Sequence, residues 1–371
     1  MDCLAAVFRE IGKPLSIERI ELDQPEATEV LVRVAAVGLC RTDYHVMQGE
    51  RRVAMRPMVL GHEAAGVVEE VGPEVQSIHR GDHVVLTFIP GCGTCRWCRK
   101  GLHHLCAQGP RITQGPQLDA TYRRRDKDGS ATGAFCMIGG FAERTAVDQA
   151  SVVVIDKDVP LELASLVACG VPAGVGAARY RARVKAGDSV LVVGCGGDGM
   201  NVVQGARLCG ASNIIAADVV PLKLDWAREF GATEVVNARG EALTRAVLEL
   251  TEGVGVDHAF VCIDPPETLV PAFRATAKAG NVIVTALTPD TVNEIKIPPL
   301  ELFVTQKAVM GAVYGFASPR LQIPELLSLY RSGALKLREL VTRTYSLEQI
   351  NQGYADLVAG KNLRGVVSFD S

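Results

Sequence analysis

The stretch Ser189-Val190-Leu191-Val192-Val193-Gly194-Cys195-Gly196-Gly197-Asp198-Gly199 decides the fold. The aliphatic run before Gly194 is too short for a helix and reads as a buried strand. The glycines that follow fit G-x-G-x-x-G, and 200–208 continues as a helix with small and apolar faces. Gly194 permits a tight turn, Gly196 lets backbone approach a pyrophosphate, and Gly199 allows close helix–strand packing. Gly197 and Asp198 lie in the same turn, where the helix N-terminus offers N–H groups and partial positive charge to phosphates. Asp198 is unusual there, because a carboxylate opposes a phosphate; it is expected to weaken or reshape cofactor binding.

Working outward, 213–217 reads as a second strand ending at Asp218. A carboxylate at that place accepts bonds from a ribose 2′-hydroxyl and repels a 2′-phosphate, so NAD is expected rather than NADP. Helix 222–230 stops at Gly231. Strand 234–236, helix 243–250, strand 258–261, helix 268–277 and strand 281–286 continue the alternation. Such βαβ order implies a doubly wound parallel sheet of the Rossmann type. Before about Pro172 the character differs. Short β-branched runs at 30–34 and 83–86 lie among Gly61, Gly66, Gly72, Gly81, Gly91 and Gly93, as in an irregular β-rich domain. The tail 365–369 is strand-like and is expected to return to that first domain. Two domains are therefore expected: 1–172 with 316–371, and 173–315.

Composition supports this. With 48% apolar and 22% charged residues the chain reads as a globular protein. A formal net charge of -3 gives no global attraction to nucleic acid or anionic membrane. The local basic run Arg123-Arg124-Arg125 reads as a solvated loop. No signal peptide is expected from Met1-Asp2-Cys3-Leu4, and the most apolar window, 161–180, is interrupted by Glu162, Pro172 and several glycines. Eleven cysteines without an export signal argue for a reducing, cytoplasmic setting and for metal or thiol roles.

Four of them, Cys92, Cys95, Cys98 and Cys106, follow C-x2-C-x2-C-x7-C. Four thiolates so close in sequence can close a tetrahedral shell, which suits a structural zinc. An iron–sulfur cluster would use the same residues, but the remaining motifs describe hydride transfer. A second set is dispersed: Cys40, the pair His62-Glu63, and Cys169. Each alone would read as a buried thiol or a turn residue.

Read in order, Cys40-x-Thr42-Asp43-x-His45, Gly61-His62-Glu63-x-x-Gly66, the four-cysteine lobe, Cys169-Gly170 and the glycine turn resemble the zinc-containing medium-chain alcohol dehydrogenases over nearly the whole chain. The segments 201–206, 351–354 and 362–366 are most similar to the actinobacterial-type branch, which includes nicotinoproteins that hold NAD(H) tightly and are assayed with an artificial acceptor. The resemblance implies a GroES-like catalytic domain beside the Rossmann domain, two zinc ions per chain and NAD.

It further implies that Cys40, His62 and Cys169 bind a catalytic zinc with a fourth position open to substrate. Glu63 would stand beside the ion, and Asp43 would orient His62. Thr42 would accept the alcohol proton and pass it through the cofactor ribose to His45. Arg41 and Arg364 would contact the pyrophosphate and Lys223 the adenosine ribose, while Phe88 and Phe135 would line the substrate pocket. The substrate class implied is a small primary or secondary alcohol, or the matching aldehyde or ketone. The apolar run 308–314 would form an edge needing cover, as in a homodimer or homotetramer. Competing readings are a thiol-adduct formaldehyde dehydrogenase on the same scaffold, a non-catalytic zinc- and dinucleotide-binding protein, and a zinc-free quinone reductase.

Overall fold

A computed structural model describes residues 1–263, 266–292 and 294–369. The chain forms two compact units, one built from 1–169, 318–332 and 337–369, the other from 170–317 and 333–336.

The second unit is organised by a six-stranded sheet. Its strands lie in the order Glu234–Val236, Asn213–Ala217, Ser189–Val193, Val256–Val261, Thr276–Val284, Ala308–Gly311. Every pairing is parallel. The chain starts at the centre, winds to one edge and returns to wind to the other, so connections diverge beyond the C-terminal ends of Ser189–Val193 and Val256–Val261. Ligands of open α/β sheets bind at such a switch point. Both faces are covered, and Val190, Leu191 and Val192 are fully buried, as all-parallel strands require.

One boundary differs from the sequence expectation. The helix expected over 268–277 is Pro266–Arg274, and its last turn closes by the N–H of Ala275 on the Pro271 carbonyl at 3.0 Å. The next strand begins at Thr276 rather than 281. A register shift puts Thr276 opposite Val256 but Asn281 opposite His258, with Ala279 at φ 60° between them. The small residues of this bulge resemble a continuing helix in sequence.

The first unit is β-rich. Asp2–Phe8, Ser16–Leu22, Arg124–Arg125, Ala131–Ala134 and Met58–Val59 close a small barrel. A second sheet runs Val152–Ile155, His83–Leu86, Ala64–Val71, Glu29–Gly38, Arg364–Ser368, Val341–Tyr345. Its long strand Glu29–Gly38 pairs with Arg144–Asp148 through its first half and with Arg364–Ser368 through its end. The end of the chain is thereby laid beside residues 36–38.

The basic run is not the solvated loop its charge suggests. Arg123 and Arg124 are 4% and 1% exposed. Arg123 donates to Glu29 at 2.7 Å and to Asp119 at 2.5 Å. Arg124 donates to the carbonyls of Ile138 and Gly139 and to Thr145 Oγ1 at 2.7, 3.3 and 2.6 Å. Such hydrogen bonds offset part of the cost of burying a cation; burial still pushes the Arg124 pKa down to about 10, leaving it charged at neutral pH. Arg124 thereby fastens the turn after Phe135, where Cys136, Met137 and Gly139 have positive φ. Among the described residues no helix is long and apolar enough to cross a membrane.

Candidate active site and metal centres

The four-cysteine lobe has the dimensions of a metal site. The ligand atoms of Cys92, Cys95, Cys98 and Cys106 lie within 4.8 Å of one another, and the sulfurs of Cys92 and Cys98 are 3.9 Å apart. A tetrahedron with metal–sulfur bonds of about 2.3 Å has edges of about 3.8 Å. That separation is far beyond a disulfide bond. Backbone N–H groups of Cys95 and Cys98 point at the sulfurs of Cys92 and Cys95, each at 3.4 Å, and the N–H of Ala107 reaches Cys95 at 3.5 Å. The N–H groups of Ala107 and Cys98 draw the Cys95 thiol down to about 6. Burial pushes Cys98 up to about 12. Four sulfurs packed this way fit one dication. The surrounding apolar cluster is small, with Ile89, Cys98 and Cys106 buried and Phe88 packed against them.

The second constellation assembles from three places. Cys40 follows the strand Glu29–Gly38 and precedes the short helix Arg41–Met47. His62 and Glu63 precede the strand Ala64–Val71. Cys169 ends the first segment of the first unit. Their ligand atoms also lie within 4.8 Å of one another, although Cys40 and Cys169 are far apart in sequence. Cys40, His62 and Glu63 are at most 8% exposed. The hydrogen bond with Cys169 draws the Cys40 thiol well below the usual range against the opposing burial, helped by the charges of His62 and Arg364. A sulfur biased to the thiolate beside a buried imidazole is the donor chemistry of a zinc site.

The neighbours explain how these ligands are aimed. Asp43 Oδ1 accepts the Gly61 N–H at 2.9 Å, and its Oδ2 lies 3.0 Å from His62 Nδ1. With Nδ1 facing the Asp43 carboxylate, Nε2 is the His62 nitrogen left for a metal. Burial works against the His62 imidazolium, but the Asp43 carboxylate and the Cys40 sulfur outweigh it and hold the pKa well above an ordinary histidine. Phe88 and Phe135 stand edge-on to the His62 ring, with centroids 5.7 and 5.9 Å away.

Arg364 ion-pairs with the Glu63 carboxylate across most of the chain's length. Gly38 makes room for this pair, since a Cβ there would lie against Glu63 Oε2 and 3.0 Å from Arg364 Nη2. Thr42 is half-buried in the first turn of the helix, whereas Arg41 is exposed. His45 is 3% exposed and its Nδ1 lies 2.5 Å from Glu50 Oε2. Gly38 and Glu50 carry no motif signal of their own. Their importance comes from chain paths that bring them to Glu63 and His45.

In the second unit the glycine turn matches its expected geometry. Gly194 has φ 95°. A Cβ at Gly199 would meet the Gly194 carbonyl and lie 3.3 Å from Val192, whereas one at Gly196 would meet nothing within 4 Å. Thus Gly199 is needed for packing, while Gly196 leaves an open cradle of the kind a pyrophosphate fills. The helix Gly197–Leu208 starts here, with Asp198 in its first turn. Asp218 Oδ2 accepts the Cys195 N–H at 2.8 Å and Oδ1 the Val220 N–H at 2.9 Å. Lys223 Nζ is 3.9 Å from Asp218.

A dinucleotide-type sheet and a buried Cys/His/Glu cluster in one chain are the parts of a metal-dependent dehydrogenase. The sequence matches the model of the alcohol dehydrogenase GroES-like domain over residues 26–157 and that of the zinc-binding dehydrogenase over 197–332. It is 44% identical to an NDMA-dependent alcohol dehydrogenase of Amycolatopsis methanolica, covering 99% of both chains. It is 37% identical to an S-(hydroxymethyl)glutathione dehydrogenase of Saccharomyces cerevisiae, covering 100% of this chain and 97% of the relative. The fold superposes on benzyl alcohol dehydrogenase of Acinetobacter calcoaceticus with a TM-score of 0.93, at 32% identity and 99% coverage of both chains. The chain belongs to the zinc-dependent alcohol dehydrogenase family.

Proposed function

We propose that this protein exchanges a hydride between a small primary or secondary alcohol, or the corresponding aldehyde or ketone, and NAD(H). The convergence of Cys40, His62 and Cys169 carries the reading. Arg364 ion-pairs with Oε2 of the neighbouring Glu63; with Cys40, His62 and Cys169 as the protein donors, a fourth position is left to substrate, as a catalytic zinc requires. When bound, zinc lowers the pKa of an alcohol oxygen and the nicotinamide ring takes up the hydride.

The protein's own groups do the rest. Asp43 holds the His62 ring with Nε2 toward the ion. Thr42 Oγ accepts the alcohol proton and His45 carries it toward solvent. Phe88 and Phe135 form an apolar wall beside His62. Gly194, Gly196, Gly197 and Gly199 hold the pyrophosphate. Asp218 and Lys223 bind the adenosine ribose, and the Asp218 carboxylate favours NAD over NADP. Asp198 places a negative charge at the helix N-terminus and moderates phosphate affinity. We assign 1–172 with 316–371 to the catalytic domain and 173–315 to the dinucleotide-binding domain.

The similarity to the NDMA-dependent relative supports a tightly held nicotinamide, and the lower identity to the yeast relative places a thiol-adduct substrate second. The test is an alcohol panel with added NAD and, separately, with an artificial acceptor. Alcohol-dependent turnover in at least one arm is expected. No turnover of any alcohol in either arm would refute the reading, and formaldehyde activity that needs added thiol would redirect it.

We also propose a homodimer or homotetramer through the sheet edge. Ala308–Gly311 is the outermost strand, and Val309 is 36% exposed. Leu300, Phe303 and Val304 on the preceding helix Pro299–Thr305 are 73%, 79% and 58% exposed. An apolar edge of this kind needs cover. Phe303→Glu should lower the mass measured by light scattering toward one chain without loss of helical signal. A monomeric parent protein would remove the claim.

A further inference from the structure

We infer that Glu50 is a positioning residue for proton transfer: it fixes the His45 tautomer and stabilises the imidazolium that forms when His45 takes up a proton. The inference rests on the relay role given to His45 above. The observation is local. His45 lies on the helix Arg41–Met47 with its side chain 4% exposed, while the Glu50 side chain that meets its Nδ1 at 2.5 Å is 44% exposed.

The turn that brings Glu50 back is tied to His45 itself. The N–H groups of Glu50 and Arg51 donate to the His45 carbonyl at 2.8 and 3.1 Å. Gly49 makes this return possible. It has φ 75°, and a Cβ there would lie 2.9 Å from Ile11 Cγ2. Main chain and side chain of one turn thus grip one histidine, which is how a ring is preorganised. A carboxylate is an acceptor only, so the neutral ring must carry its hydrogen on Nδ1. The lone pair is then on Nε2. An incoming proton bonds there, the ring becomes an imidazolium, and the Glu50 charge balances it until the proton leaves to solvent. A carboxylate behind a histidine does the same in hydrolytic triads.

The test uses the full-length protein with labelled histidine. The tautomer of neutral His45 is read from its ring nitrogen shifts by NMR, and turnover is measured with the best alcohol. In the parent protein Nδ1 should carry the hydrogen. Glu50→Ala should shift His45 toward the Nε2–H form and lower kcat about tenfold, less than the about 10²- to 10⁴-fold of a general acid–base group itself, because Glu50 acts through His45 and water can take the place of its half-exposed carboxylate. The alcohol KM should change little. Glu50→Gln, which keeps an acceptor but not the charge, should retain the tautomer and lose part of kcat. Gly49→Ala should reproduce the tautomer shift without touching either side chain. An unchanged tautomer in Glu50→Ala would overturn the pairing, and a shifted tautomer with parent kcat would overturn the catalytic part. Failure of the relay reading looks different: His45→Ala would then turn over like the parent protein.

Discussion

Cys40→Ala should abolish alcohol turnover while leaving the fold intact. The Lewis-acid contribution of a catalytic metal is several kcal/mol; about 4 to 6 kcal/mol corresponds to a loss of about 10³- to 10⁴-fold. The structure explains why one ligand matters so much. Cys40 is a short link between the strand Glu29–Gly38 and the helix Arg41–Met47, and its sulfur is the one drawn toward thiolate by Cys169, His62 and Arg364. Removing it leaves the Asp43–His62 pair and the Glu63–Arg364 pair satisfied by each other, so the core should survive. Circular dichroism unchanged from the parent, together with lost turnover, is the expected pair of results. Near-parent turnover would show that the three-ligand account is wrong.

Cys95→Ala should act the other way, chiefly on stability. The lobe has almost no apolar core apart from its sulfurs: its buried apolar cluster consists of Ile89, Cys98 and Cys106. Structural zinc supplies about 10 to 16 kcal/mol in isolated small domains. Here the lobe is anchored at both ends, so the loss should appear as local opening and not as global unfolding. Limited proteolysis should cut within 91–113 in the variant and spare that segment in the parent. Turnover should fall far less than in Cys40→Ala. It need not stay unchanged, because Phe88 packs on the lobe and also stands against His62; a raised alcohol KM is the expected trace of that link. Equal protease resistance in both proteins would mean that the lobe does not depend on its metal.

The parts of the site that were legible in sequence are those whose chemistry is written in short spacings. The glycine turn declares its geometry locally, and Gly194, Gly196 and Gly199 occupy the conformations and contacts that their positions imply. The four-cysteine run declares its ligand set in the same way. The dispersed set was legible only through the order of several motifs, because nothing in the spacing of Cys40, His62 and Cys169 states that the chain folds back to join them.

Other features escaped because they depend on tertiary paths. Arg123 and Arg124 look like solvated charge until Glu29, Asp119 and the carbonyls after Phe135 are seen around them. Arg364 is close to Glu63 because the last strand pairs with residues 36–38. Gly38 is small to admit that pair. The early start of Thr276–Val284 was hidden because a bulge of small residues has helix-like composition.

The most direct test of the account is metal content after denaturation of the purified protein. Two zinc ions per chain are expected in the parent, and one each in Cys40→Ala and Cys95→Ala, because the two sites share no ligand. A parent protein with one zinc, all of it lost in Cys95→Ala and none in Cys40→Ala, would contradict a catalytic metal at Cys40, His62 and Cys169.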